Sequence, residues 1–117
     1  MVRIIAFVLR SVELERLLSF YSLIGLSFEK EQHEGGPEHL ASSLSGDIVL
    51  ELYPRTKKVV DDAIIIQVES LKSVLAKLEK EGFLKQGDIE FSGEGDQALI
   101  HDPDGRPVYL VETKVTH

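Results

Sequence analysis

Histidines stand at His33, His39, His101 and His117 of the 117-residue sequence, and there is no cysteine. Without thiols the chain can form no disulfide, thiolate nucleophile, zinc ribbon or iron–sulfur cluster. Any metal would be held by His, Asp, Glu or backbone oxygen. His33 and His39 flank the turn-forming Gly35-Gly36-Pro37, so a hairpin there would bring the two imidazoles face to face. With Glu34 and Glu38 beside them they form one possible, unconventional metal site, although surface His and Glu next to a turn are common. His39 is also a candidate acid–base, because its strand should border a cavity. His101 precedes Asp102-Pro103-Asp104-Gly105 and reads as support for that turn, while His117 ends the sequence and is expected to take no part. Ser42, Ser43 and Ser45 lack a nucleophile-elbow context, and Gly93-Glu94-Gly95 opens no helix that could cradle phosphate.

Charge excludes further classes. Lys plus Arg against Asp plus Glu gives 13 − 20 = −7, divided as 7 − 8 = −1 over residues 1–60 and 6 − 12 = −6 over residues 61–117. An acidic chain without a dense basic patch is poorly suited to phosphate contacts, so no nucleic-acid partner is expected. No apolar run approaches the ~18–20 residues that span a bilayer. The segment Met1 to Arg10 reads as a first strand buried on both faces rather than as a signal peptide, and the expected location is cytoplasmic.

The elements that must position these groups occur twice. Residues 3–9 are a short Ile/Val/Phe-rich strand. From Val12 to Leu23, Leu14, Leu17, Leu18 and Tyr21 make one apolar helical stripe, with Ser11 as the expected N-cap and Gly25 as the stop. Strands follow at about 26–33, 38–45 and 47–53. A shift of 57 residues superposes Ala63-Ile64-Ile65-Ile66-Gln67 on Ala6-Phe7-Val8-Leu9-Arg10, and Leu71, Val74, Leu75 and Leu78 on the helical stripe. Ser70 opens that second helix, Gly82-Phe83 ends it, and strands are expected at 84–92, 96–101 and 106–113. The pattern is therefore an α+β chain of two tandem βαβββ modules, module one 1–54 and module two 62–117, joined by a polar linker 55–61. A half of this size is marginal alone, so the modules should share a curved mixed sheet around a cleft, with the helices on the outer face.

Duplicated strand–helix–three strands in so short a chain resembles the vicinal oxygen chelate superfamily, which includes glyoxalase I, methylmalonyl-CoA epimerase, extradiol dioxygenases and the bleomycin resistance proteins. The resemblance is carried by Val12 to Tyr21, by Leu71 to Phe83, and by Asp102-Pro103-Asp104-Gly105 with the strand to Glu112. It implies a homodimer. It also implies where a metal would sit: the usual ligand positions fall on Ala6, Glu51, Ala63 and Tyr109, of which only Glu51 has a ligand-type side chain. No metal and no other cofactor is therefore expected at those positions.

Strand alternation sets Val8 and Arg10 on the face of Ala6, Tyr53 on that of Glu51, and Gln67 on that of Ala63. Arg10, Glu51, Tyr53, Gln67 and Tyr109 are then the expected ligand-binding residues of an otherwise apolar cleft. The resulting expectation is a metal-independent, glyoxalase/bleomycin-resistance-like protein that binds a small amphipathic or aromatic molecule. The alternative is a lyase or isomerase using Glu51 as general base, or an unorthodox metal site. In that alternative Arg10 must point away from Glu51, because a nearby guanidinium would keep the carboxylate ionised.

Overall fold

The computed structural model describes residues 2–33, 35–43 and 47–113. The fold is α+β. Its strands are β1 (Arg3–Ser11), β2 (Glu29–Gln32), β3 (Glu38–Ser43), β4 (Val49–Pro54), β5 (Ala63–Val68), β6 (Glu90–Ser92), β7 (Gln97–His101) and β8 (Pro107–Glu112). The helices are α1 (Leu14–Ile24) and α2 (Leu71–Lys80). Two compact units are present, one running from Ile5 to Asp62 and the other from Ala63 onward with the start of β1 up to Ile4.

In the first unit the strand order is β2-β3-β4-β1, with β1 parallel to β4 and the other pairs antiparallel. Helix α1 packs against β4, whose Leu50 and Leu52 are buried. The second unit repeats the order as β5-β8-β7-β6, with β5 parallel to β8. There the stripe of α2 buries Leu71 and Leu75 against Val68, Leu84, Ala98, Ile100 and Leu110. Apolar burial of this kind, at about 25 cal/mol per Å², is the main force holding α2 to its sheet, whereas the stripe of α1 is only half-buried.

The repeat extends to the helix ends. In α1 the N–H of Gly25 bonds to Ser22 O and that of Leu26 to Tyr21 O. In α2 the N–H of Gly82 bonds to Glu79 O and that of Phe83 to Leu78 O. Both are Schellman closures, and both glycines have positive φ, 124° and 84°.

Several boundaries differ from the sequence reading. Ser11 does not cap α1. Glu13 occupies the capping position, and the Ser11 hydroxyl instead accepts the Glu13 N–H at 2.9 Å, a local serine turn that competes with capping. Ser70 does cap α2, accepting from Ser73 N. The strand expected over 84–92 shrinks to Glu90–Ser92, because Gln86–Asp88 forms a 3-10 turn closed by Asp88 on Lys85 N. β1 is buried at Ala6 and Val8, whereas Phe7 between them is 37% exposed, so the strand is not buried on both faces.

Candidate functional site

The polar cluster of the first unit follows from register. Arg10 lies opposite Tyr53, and Val8 opposite Glu51, in the β1–β4 pair. Glu51 lies opposite Ala41, and His39 opposite Glu31, in the β4–β3 and β3–β2 pairs. Alternation then places Arg10, Glu51, Tyr53, His39 and Glu31 on one face of four adjacent strands. Arg10, Glu51 and Tyr53, expected to share a face, do so.

His39 is the centre of this cluster. It is 1% exposed, and its Nδ1 lies 3.3 Å from the carbonyl oxygen of Pro37. Its Nε2 lies 3.3 Å from Oε2 of both Glu31 and Glu51. The ring stacks on Tyr53 with centroids 4.1 Å apart and planes at 8°, and His33 packs at 5.0 Å from it. The Arg10 guanidinium lies over the Tyr53 ring at 5.0 Å, a cation–π contact. Its Nε donates to the Asp61 carbonyl at 3.0 Å, and the Arg10 backbone N–H donates to the Asp62 carboxylate at 2.9 Å.

The Tyr53 phenol lies beside the Glu51 carboxylate. Burial first, and then the neighbouring negative charge of Glu51, push the Tyr53 phenol up to about 12, so it is a neutral donor at physiological pH. The Arg10 charge opposes that rise. Glu51 thus sits between an imidazole and a phenol, an arrangement able to hold a proton, a cation or a polar group of a ligand.

The histidine pair expected across the Gly35-Gly36-Pro37 hairpin is present, but its carboxylate partners are not those expected. Glu38 turns to the opposite face from His39 and pairs with Lys30 at 3.6 Å. Glu34 lies outside the described residues. Glu31 and Glu51 take their places. Glu31 was legible in principle: counting outward from Gly35 sets residue 31 opposite residue 39.

In the second unit, Tyr109 lies opposite Ile65 and Val111 opposite Gln67, so Gln67 and Tyr109 share a face of that unit's own sheet. The Gln67 side-chain oxygen accepts from Arg3 Nε at 3.1 Å. His101 pairs through its backbone with Pro107 and lines a surface cavity of about 470 Å³ together with Phe83, Ile89 and Leu99. The turn after it is held by Asp102 itself, whose Oδ1 accepts from the N–H groups of Asp104 and Arg106.

Neither a protein-family model nor a curated protein sequence matches the chain. Solved structures do. A glyoxalase/bleomycin resistance protein/dioxygenase superfamily member from Vibrio splendidus 12B01 superposes with a TM-score of 0.66 at 12% identity, over 97% of this chain and 100% of that one. A hypothetical protein from Bacillus halodurans C-125 does so at 0.67 and 15%, over 99% and 97%. Methylmalonyl-CoA epimerase from Mycobacterium tuberculosis does so at 0.62 and 15%, over 96% and 88%. The chain has the vicinal oxygen chelate fold. At these identities it is the fold that is shared.

The metal ordinarily associated with that fold does not fit the residues at its usual positions. Ala6 and Ala63 are buried methyl groups, 4% and 5% exposed, and cannot donate to an ion. Tyr109 offers a phenol, a poor ligand while neutral. Glu51 is the one ligand-type side chain at those four vicinal oxygen chelate positions, and its carboxylate lies 3.3 Å from His39 Nε2.

Proposed function

We propose that the protein binds a small, flat, amphipathic or aromatic molecule, with Arg10, Glu51 and Tyr53 as its contacts and without a metal at the usual positions of the fold. Gln67 and Tyr109 are the corresponding polar points on the second unit's own face. The observation that carries this reading is the Arg10–Tyr53–His39 stack. A guanidinium, the edge of a half-buried tyrosine ring and a carboxylate share one face, backed by the buried imidazole, and offer apolar edge, one cation and one acceptor together. A ligand with an aromatic ring and an oxygen substituent can use all three.

The test is a thermal-shift screen of planar aromatic carboxylates, salicylate and 2-naphthoate among them. A ligand at a hundred times its Kd stabilises the native state by about 2.7 kcal/mol, or roughly 10 °C for a domain of this size. Arg10→Ala and Tyr53→Leu should each weaken binding by about tenfold or more. A panel that shifts nothing, or a shift undiminished in both variants, would sink the proposal.

A second reading is favoured by one observation. The Arg10 Nε is taken up by the Asp61 carbonyl, which favours Glu51 as a general base in a lyase or isomerase reaction. Glu51→Gln separates the two readings. A binder of neutral or anionic ligands keeps its affinity, whereas an enzyme that depends on Glu51 loses turnover. The proposed assembly is a homodimer, supported by the exposed apolar stripe Phe20, Leu23 and Ile24 of α1 and tested by sedimentation equilibrium.

A further inference from the structure

We propose that Glu31, His33, His39 and Glu51 hold one first-row divalent metal ion, zinc being the case tested, at a site built wholly within the first unit. The proposal goes beyond the ligand-binding reading and does not depend on it. The site draws on β2, β3, β4 and the turn after β2. Glu51 is its one residue in common with the positions the fold ordinarily uses.

The donor set comes first. Two imidazole nitrogens and two carboxylate oxygens, one from each residue, all lie within 4.8 Å of one another. Ligands at the corners of a zinc tetrahedron, each ~2.0–2.2 Å from the ion, are ~3.3–3.6 Å apart. The widest separation therefore has to close by up to about 1.5 Å when an ion binds. The side chains able to make that movement are the outer ones: His33 and Glu31 are 71% and 44% exposed, against 1% for His39 and 15% for Glu51. Half of the site is thus held rigidly by packing, and half can swing in.

The hydrogen bonding of His39 points the same way. Its Nδ1 faces the Pro37 carbonyl, which can only accept, so Nδ1 carries the proton. In the neutral ring Nε2 is then a bare lone pair directed at two carboxylate oxygens, each 3.3 Å away. Three electron-rich atoms converge there, and a cation among them would meet all three. A tetrahedron with metal–ligand bonds of ~2.0–2.1 Å has edges of ~3.3–3.4 Å. Both Nε2···Oε2 spacings have the length of that edge.

The surroundings complete the site. Metal-bound histidines commonly give their other N–H to a backbone carbonyl, and metal-bound carboxylates are themselves hydrogen-bonded. Here Pro37 takes the first role. Two carboxylates balance a divalent charge, so the occupied site as a whole carries no excess. Imidazole with carboxylate favours zinc, cobalt, nickel, manganese or iron over calcium and magnesium, which prefer all-oxygen shells.

The experiment uses the full chain without an affinity tag. Protein stripped with EDTA is loaded with Zn²⁺ or Co²⁺, desalted, and its metal counted by elemental mass spectrometry, with the visible bands of Co²⁺ reporting coordination. About one equivalent per chain is expected in wild type and in His101→Ala. Affinity should fall roughly tenfold or more in His33→Ala and Glu31→Gln, both at exposed positions where folding is not at stake. His39→Gln, checked by circular dichroism, should abolish binding. Less than about a tenth of an equivalent in wild type, or full affinity retained in both His33→Ala and Glu31→Gln, overturns the site. So does a preference for Ca²⁺ or Mg²⁺ over Zn²⁺.

Discussion

Removing the Glu112 side chain should loosen the joint between α2 and β8. The first N–H of α2, on Leu71, is buried with its residue at 3% exposure and donates to Glu112 Oε1 at 2.9 Å. The third, on Ser73, donates to Ser70 Oγ at 3.2 Å. Helix N-termini have no intrahelical acceptors for these groups, and the dipole there favours negative charge. Glu112→Ala strands a buried donor, costing ~1–3 kcal/mol, and removes a charge–dipole attraction of ~0.3–1 kcal/mol. The expected total is about 2 kcal/mol, or roughly 8 °C in Tm. Glu112→Gln keeps an acceptor and loses the charge, so it should cost about 0.5–1 kcal/mol. Ser70→Ala should cost about 1 kcal/mol. Because the two acceptors serve different N–H groups, Ser70→Ala with Glu112→Ala should add to within ~0.5 kcal/mol. Urea unfolding followed by circular dichroism, with m-values compared, measures all four variants. A Glu112→Ala protein within ~0.5 kcal/mol of wild type would refute the capping argument, as would a Glu112→Gln protein destabilised as much as Glu112→Ala.

Three other outcomes follow from single contacts. The Tyr53 phenol is raised in the folded state from 10.0 to about 12, so the stability linked to it is complete below pH 10 and lost as pH climbs toward 12. Glu51→Gln should lower the tyrosinate transition seen by ultraviolet absorbance, Tyr53→Phe should remove it, and a transition unmoved by Glu51→Gln would contradict the assignment. Asp102 lies below the ordinary carboxylate range, first because its Oδ1 accepts the Arg106 N–H. Its contribution is present above the unfolded value of 3.8 and lost as pH falls through the lowered folded value. Asp102→Asn should abolish that acid dependence, and an ordinary carboxyl titration of Asp102 by carbon NMR would count against the turn described. Leu52 is 0% exposed, so Leu52→Ala should cost about 3 kcal/mol through lost transfer energy and a residual cavity; a urea midpoint unchanged from wild type would show that the site collapses.

The duplicated βαβββ order, both helices and the common face of Glu51 and Tyr53 were legible in the sequence because each depends on local periodicity, whereas the resemblance set Arg10 on that face. Helical spacing put Leu71, Val74, Leu75 and Leu78 on one stripe, and alternation put Glu51 and Tyr53 on one side of β4. The common Schellman ends at Gly25 and Gly82 likewise arise from glycine in a left-handed conformation at equivalent places. Local signals failed where short polar segments had a choice. Ser11 formed a turn instead of a cap, and Gln86–Asp88 closed on itself instead of extending a strand.

Tertiary structure decided that Glu51 joins Glu31 at His39. Glu31 and Glu51 are 20 residues apart in the chain, and they converge on His39 because the registers of β2 on β3 and of β3 on β4 bring them there. Glu38, beside His39 in sequence, is sent to the opposite face by the same pleat and finds Lys30. The linker decides the fate of Arg10, whose guanidinium is drawn to the Asp61 carbonyl rather than to Glu51. Periodicity is a property of one backbone and can be read along it. Register is a relation between backbones, and the energy that sets it comes from every pair along the ladder at once.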